Sequence, residues 1–192
     1  FSRSVDTDPS AEAVVHNGRR LTYGELHDLA SKVSSHLIVS GLAKGDRVAL
    51  LAANSPEYIA VYYGILAAGG VVVTLNTQAK ARDIDNWLKH SGANWLFADH
   101  NHPELEEVCC TTRELRTVAI GFSDRTPFGD LVAWRQVVES DGDASEVPIK
   151  ARDLASIIYT SGTTGHPKGI TLSHGNLAAN VASIIDYLHL TA

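Results

Sequence analysis

The sequence predicts an α/β fold, a mostly parallel sheet with helices on both faces. Two observations carry that prediction. Short strand-like runs, wholly apolar at residues 48–52 and β-branched at 71–75, alternate with segments of helical period, and turn residues separate them. A strand that is apolar at every position has both faces buried, as in a parallel sheet packed between two helix layers.

Each element has its own signal. Thr22 followed by Glu25 is a capping box that opens the first helix. Leu26, Leu29, Ala30, Val33 and Leu37 then recur at helical spacing, and Gly41 stops the run. Lys44, Gly45 and Asp46 form a turn into the strand at 48–52. Ser55 and Pro56 start the second helix as N-cap and first-turn proline, and Gly69 and Gly70 end it. Residues 71–75 are rich in β-branched side chains and read as a strand. A helix over 79–90 turns Ile84, Trp87 and Leu88 to one side, with Gly92 closing it. A strand at 95–98, a short helix at 103–108 and a strand at 117–120 follow. Residues 121–150 carry Gly, Asp, Ser and Pro around one expected helix at 131–139 and read as a connecting excursion. The expected organisation is therefore an α/β layer over 1–120, the excursion over 121–150, and a strand, loop and following helix over 151–192.

Composition narrows the function classes. With 192 residues, 44% of them hydrophobic, the chain can bury a core without disulfides or metal staples. A formal net charge of -6 lacks the basic balance of a nucleic-acid binder. No apolar run reaches the ~18 to 20 residues that cross a bilayer, and no signal-peptide pattern opens the chain. The two cysteines, Cys109 and Cys110, are neighbours and build no disulfide framework, which favours a reducing, cytoplasmic setting. The chain opens on Phe1 and contains no methionine, so it reads as a processed or excised piece.

The chemistry concentrates in residues 159–169, Tyr-Thr-Ser-Gly-Thr-Thr-Gly-His-Pro-Lys-Gly. Four Ser/Thr hydroxyls, three glycines and Lys168 follow an expected strand at 154–159. Glycine lets backbone N–H groups turn toward a ligand with no Cβ in the way, and successive inward amides make an anion nest. Hydroxyls add donors and the lysine adds charge, which together suit a polyphosphate. The pattern is not Walker A, because Pro167 stands where the second glycine belongs and Gly169 follows the lysine. A plain surface hairpin linking two strands is the alternative, since Ser, Thr and Gly also make turns.

Residues 159–169 resemble the signature of the adenylate-forming (AMP-binding) superfamily of acyl-CoA synthetases, luciferases and peptide-synthetase adenylation domains. Residues 21–26 (LTYGEL), 66–76 (LAAGGVVVTLN), 153–155 (DLA) and 172–177 (LSHGNL) resemble further family segments in the family's order. The resemblance implies the incomplete N-terminal domain of a two-step ligase. A carboxylic acid is activated with ATP as an acyl-adenylate, and a thiol then takes the acyl group, from coenzyme A or from a carrier protein's phosphopantetheine arm. By position, Thr160, Ser161, Gly162, Thr163, Thr164 and Gly165 would cradle the ATP phosphates with Lys168 as the mobile cation. Thr160 is also the candidate for holding Mg²⁺. Asn76, Ser91-Gly92-Ala93 and Thr163 lean toward acyl- or aryl-CoA ligases. The adenine and ribose contacts, most of the acyl pocket and the small C-terminal domain with its catalytic lysine are expected beyond residue 192, so this chain alone is expected to be inactive. A noncatalytic nucleotide-binding or scaffolding module derived from such an enzyme is the alternative, and an unrelated nucleotide hydrolase is a third reading.

Other polar residues have plainer explanations. Asp99, His100, His102 and Glu104 lack the helical i, i+4 histidine spacing of a zinc protease. His174, read as lying next to the phosphate loop, suits a positional or capping role at a helix start. Trp87, Trp95 and the tyrosines from Tyr58 to Tyr63 read as core anchors.

Overall fold

The computed structural model describes residues 2–112, 114–121, 131–139, 147–160 and 168–190. Its elements in chain order are α1 (Ser2–Thr7), β1 (Glu12–His16), β2 (Arg19–Thr22), α2 (Tyr23–Val39), β3 (Arg47–Leu51), α3 (Pro56–Ala67), β4 (Val71–Thr74) and α4 (Ala81–Ser91). Then come β5 (Trp95–Asp99), α5 (Leu105–Thr111), β6 (Arg116–Ile120), β7 (Val132–Ala133), α6 (Trp134–Val138), β8 (Leu154–Thr160), β9 (Lys168–Ser173) and α7 (His174–Leu188).

Seven strands form the main sheet in the order β7-β6-β5-β3-β4-β8-β9, and only β9 runs antiparallel to its neighbour. Alternation along each strand builds two cores. Val48 and Leu50 of β3 join Phe97, Val33, Leu37, Val61 and Ile65 on the face covered by α2, α3 and α6. Ala49 and Leu51 join Leu96, Ile84, Leu88 and Val108 on the face covered by α4 and α5. The expected mostly parallel sheet with helices on both faces is the observed one.

Helix starts follow the side chains that cap them. Thr22 Oγ1 accepts from Glu25 N at 3.2 Å, and the Glu25 carboxylate accepts from Thr22 N at 2.8 Å. Thr22→Ala removes one of these donor–acceptor pairs and is expected to cost about 1 kcal/mol, read as a lower urea midpoint. Ser55 caps α3 by accepting from Tyr58 N. Helix α4 begins at Ala81 rather than at 79, because Ala79 N bonds Asn76 O and closes a turn first. Its capping oxygen comes from another element: Glu104, at the start of α5, accepts from Ala81 N at 3.1 Å and from Lys80 Nζ at 2.9 Å. At its other end Gly92 takes φ +66, and Arg47 donates to the carbonyls of Ser91 and Gly92. Last-turn carbonyls that would be orphaned are thereby satisfied.

Three features depart from the sequence reading. Residues 12–22 form an antiparallel hairpin across Asn17 (φ 50) and Gly18 (φ 79), whose left-handed backbone suits a tight β-turn. Within 121–150 the expected helix at 131–139 is shorter, and Val132 and Ala133 pair with Val118 and Ala119 to extend the sheet. Residues 168–173 form β9 before the final helix begins.

Candidate phosphate-binding loop

The loop is the connection of a β-hairpin. Strand β8 lies parallel to β4, with Val72 opposite Ser156 and Thr74 opposite Ile158. The buried Ser156 hydroxyl donates to Val72 O at 3.2 Å and ties the two strands together. Thr160 ends β8 and pairs with Lys168, the first residue of β9. Ser161, Gly162, Thr163, Thr164 and Gly165 lie outside the described residues, as does the Thr160 side chain. What the structure fixes is the frame: both roots of the loop emerge at the carboxyl end of a parallel strand, the edge where α/β sheets bind ligands.

Lys168 is exposed and opens a strand, so its backbone is held by sheet pairing while its side chain faces solvent. The next residue, Gly169, lies opposite Tyr159, and a Cβ there would stand 3.1 Å from Ile157 Cγ2 and 3.5 Å from Tyr159 Cε1. Its lack of a side chain lets the tyrosine ring lie across the hairpin.

The strand after the loop changes the electrostatics. In Walker-type loops a helix N-terminus follows directly and points at the phosphates. Here the six residues of β9 intervene, a span of about 20 Å at strand rise. Leu154 pairs with Ser173, so the start of α7 sits at the beginning of β8, far from the loop. His174 is therefore not beside the loop as its sequence position suggested. Its backbone N–H donates to Asp153 O, while Ser173 and Asn176 form the cap of α7. Burial lowers the His174 pKa, the Asp153 charge opposes this, and Lys44 adds to the lowering. Asp153 itself is held below the usual carboxylate range by Lys44 Nζ at 2.7 Å. These contacts pin the start of β8 and α7 and take no part in the loop.

A second place where α/β folds take ligands lies between the carboxyl ends of β3 and β5, since β4 and β5 flank β3 on opposite sides. Asp99 bridges that crevice by accepting from Ala53 N at 2.8 Å. The His100 ring bonds Ile120 O, and the His102 ring donates to Thr77 O at 3.1 Å through Nε2 while its Nδ1 accepts from Glu104 N. Asp99, His100, His102 and Glu104 are thus consumed in joining strand ends and helix starts. Among the described residues no group of three or more His, Cys, Asp or Glu is arranged to hold a metal ion.

At the opposite edge of the sheet an open groove of about 710 Å³ is lined by His36, Trp95 and Arg116 among others. Arg116 stacks over Trp95 at 4.9 Å and donates to Ser40 O. His36 Nε2 is buried with no hydrogen-bond partner among the described residues. Burial lowers its pKa. The unfolded chain then takes up the proton more readily than the folded one, so stability is full above the unfolded His value of about 6.5 and is lost as pH falls from there through the folded value. His36→Leu removes both the orphaned nitrogen and this proton linkage. Urea midpoints at about pH 8 and about pH 5.5 are expected to lie closer together in the variant than in the wild type.

The comparisons with known proteins agree with the frame. The family model described as AMP-binding enzyme matches residues 1–191. The chain belongs to the AMP-binding enzyme family. A feruloyl-CoA synthase of Amycolatopsis sp is 34% identical over 183 residues, covering 95% of this chain and 34% of that protein. A fatty acid–[acyl-carrier-protein] ligase of Streptomyces coeruleorubidus is 34% identical over 90% of this chain and 32% of its own length. Among solved structures, ATP-bound MatB from Rhodopseudomonas palustris superposes with a TM-score of 0.83 at 30% identity, covering 99% of this chain and 37% of that one. The chain thus spans about a third of the length of these family members.

Proposed function

We propose that this chain is the front part of an ATP-dependent acid–thiol ligase, and that residues 160–168 hold the ATP phosphates. The observation that carries the reading is the position of this Ser/Thr/Gly-rich loop, rooted at Thr160 and Lys168 on the carboxyl edge of the sheet in a chain of the AMP-binding family. With no helix N-terminus following the loop, the phosphates are gripped by its own amides and hydroxyls and by the Lys168 ammonium. Their role is to neutralise and orient the leaving group. A carboxylate oxygen attacks the α-phosphorus, the bond to the β-phosphate oxygen breaks, and pyrophosphate leaves with the displaced charge. A thiol then attacks the acyl carbonyl and AMP departs, the thiol proton passing to solvent or to a base. Relatives that act with coenzyme A and with an acyl carrier protein support either thiol as acceptor.

Mg²⁺ takes few protein ligands and keeps oxygens from phosphate and water. One threonine hydroxyl at the loop root, Thr160, fits that demand as a single ligand. The metal would supply charge neutralisation on the phosphates. No helix among the described residues is long and apolar enough to cross a membrane, and a cytoplasmic location fits the unpaired Cys109 and Cys110.

The test is acid-dependent exchange of labelled pyrophosphate into ATP by the full-length protein, run against fatty, aryl and amino acids. Exchange that requires one class of acid supports the ligase, and the 192-residue chain alone is expected to give none. Phosphate release from ATP with no acid present would favour the hydrolase reading instead.

A further inference from the structure

Tyr159 is the last residue before the loop-root Thr160, and its ring is held from three directions. It stacks on Trp87 with ring centroids 5.5 Å apart and planes 22° from parallel. Its hydroxyl lies within hydrogen-bond distance of His90 Nδ1 at 2.7 Å and of Trp87 O at 3.3 Å. On the neighbouring strand the ring edge covers Gly169, directly across the ladder. Trp87 and His90 both belong to the C-terminal half of α4, whose far end is fixed by Arg47 and whose start is capped by Glu104. One side chain thereby fastens the outgoing root of the loop, leans on its returning root and ties both to a rigid helix.

We propose that Tyr159, clamped by Trp87 and His90, is the positioning residue that sets the geometry of the phosphate loop. The proposal rests on the reading of residues 160–168 as the phosphate grip. Among the described residues at the loop end of the hairpin, Ile158 and Ile170 are exposed at 40% and 48%, and the returning strand β9 has no buried residue, so the Tyr159 ring is the main side-chain anchor there. A loop that must present several amides and hydroxyls to one polyphosphate loses affinity when its root can rock, because the ordering must then be supplied on binding. The same stack makes Trp87 a reporter, since a change at the loop root passes to its indole through the Tyr159 ring.

The experiment uses the full-length protein with Mg-ATP as the probe. Tyr159→Phe keeps the stack and removes the hydroxyl. His90→Ala removes the partner, and His90→Asn restores a hydrogen-bonding side-chain group near the Nδ1 position. Tyr159→Phe and His90→Ala are each expected to raise the KM for ATP about three- to tenfold, the worth of one hydrogen bond. The double variant should be little worse than either single one, and His90→Asn should recover most of the loss. In the wild type, Mg-ATP should change the fluorescence of Trp87, identified by its disappearance in Trp87→Phe, and Tyr159→Ala should abolish that change. Unaltered KM for ATP in Tyr159→Phe and His90→Ala, including the case where only kcat falls, overturns the proposal and leaves the phosphate-loop reading standing. A wild-type protein that binds no Mg-ATP sinks the phosphate-loop reading, and this proposal with it.

Discussion

Lys168→Ala is expected to lower acid-dependent pyrophosphate exchange about ten- to a hundredfold while leaving the melting temperature unchanged. The magnitude follows from what the ammonium does when phosphate is present: a hydrogen bond to a charged group contributes about 1.5–3 kcal/mol, and each ~1.4 kcal/mol is tenfold. The sparing of stability follows from position. Lys168 is exposed, and its backbone pairs with Thr160 whatever side chain it bears. Lys168→Arg keeps the charge but spreads it over a planar fork, so an intermediate rate is expected. The effect should fall on the KM for ATP and on kcat, with the KM for the acid spared. Loss of stability in proportion to activity would instead make Lys168 a sheet residue.

Gly64→Val carries the largest expected cost to the fold. Gly64 sits inside α3, where glycine is about 1 kcal/mol worse than alanine, so its presence demands a reason. The reason is the approach of α2: a Cβ at Gly64 would meet Val33 Cβ at 2.6 Å and the Ala30 carbonyl oxygen at 2.7 Å. One of those atoms is backbone, so the seam can open only by moving a helix. Overpacking of this kind costs about 1–3 kcal/mol, and the two extra methyls of valine push it to the upper end or beyond. Gly64→Ala should also destabilise, since the clash outweighs the gain in helix propensity. Thermal melting reads both, and an alanine variant as stable as wild type would show that α2 and α3 are free to separate.

Much of this architecture was legible because its signals are local. The Thr22–Glu25 box, the Ser55–Pro56 start and the apolar runs at β3 and β4 each announce themselves within a few residues. The hairpin of β1 and β2 carried an Asn17–Gly18 signal that sequence reading passed over. Strand β7 offers only two residues to a pattern of period two, too few to register, and its pairing with β6 is tertiary. Strand β9 belongs to the hairpin alternative rather than to the strand, loop and helix order expected over 151–192, because its short run Ile170–Thr171–Leu172 is squeezed between turn residues and the helix cap at Ser173. That order placed His174 beside the loop, when the hairpin carries it to the opposite end of β8. The clamp on Tyr159 was out of reach for a different reason. Trp87 and His90 lie about seventy positions away and are apolar and polar surface of an ordinary amphipathic helix until the fold brings them together.

Hydrogen–deuterium exchange across residues 159–169 of the full-length protein tests the central claim most directly, because it reads the backbone amides that are held to grip the nucleotide's tail. Saturating Mg-ATP and Mg-pyrophosphate should each slow exchange in that segment, and AMP, which lacks the two outer phosphates, should slow it far less. Nucleotide that binds yet leaves the segment exchanging as in the free protein would contradict the account.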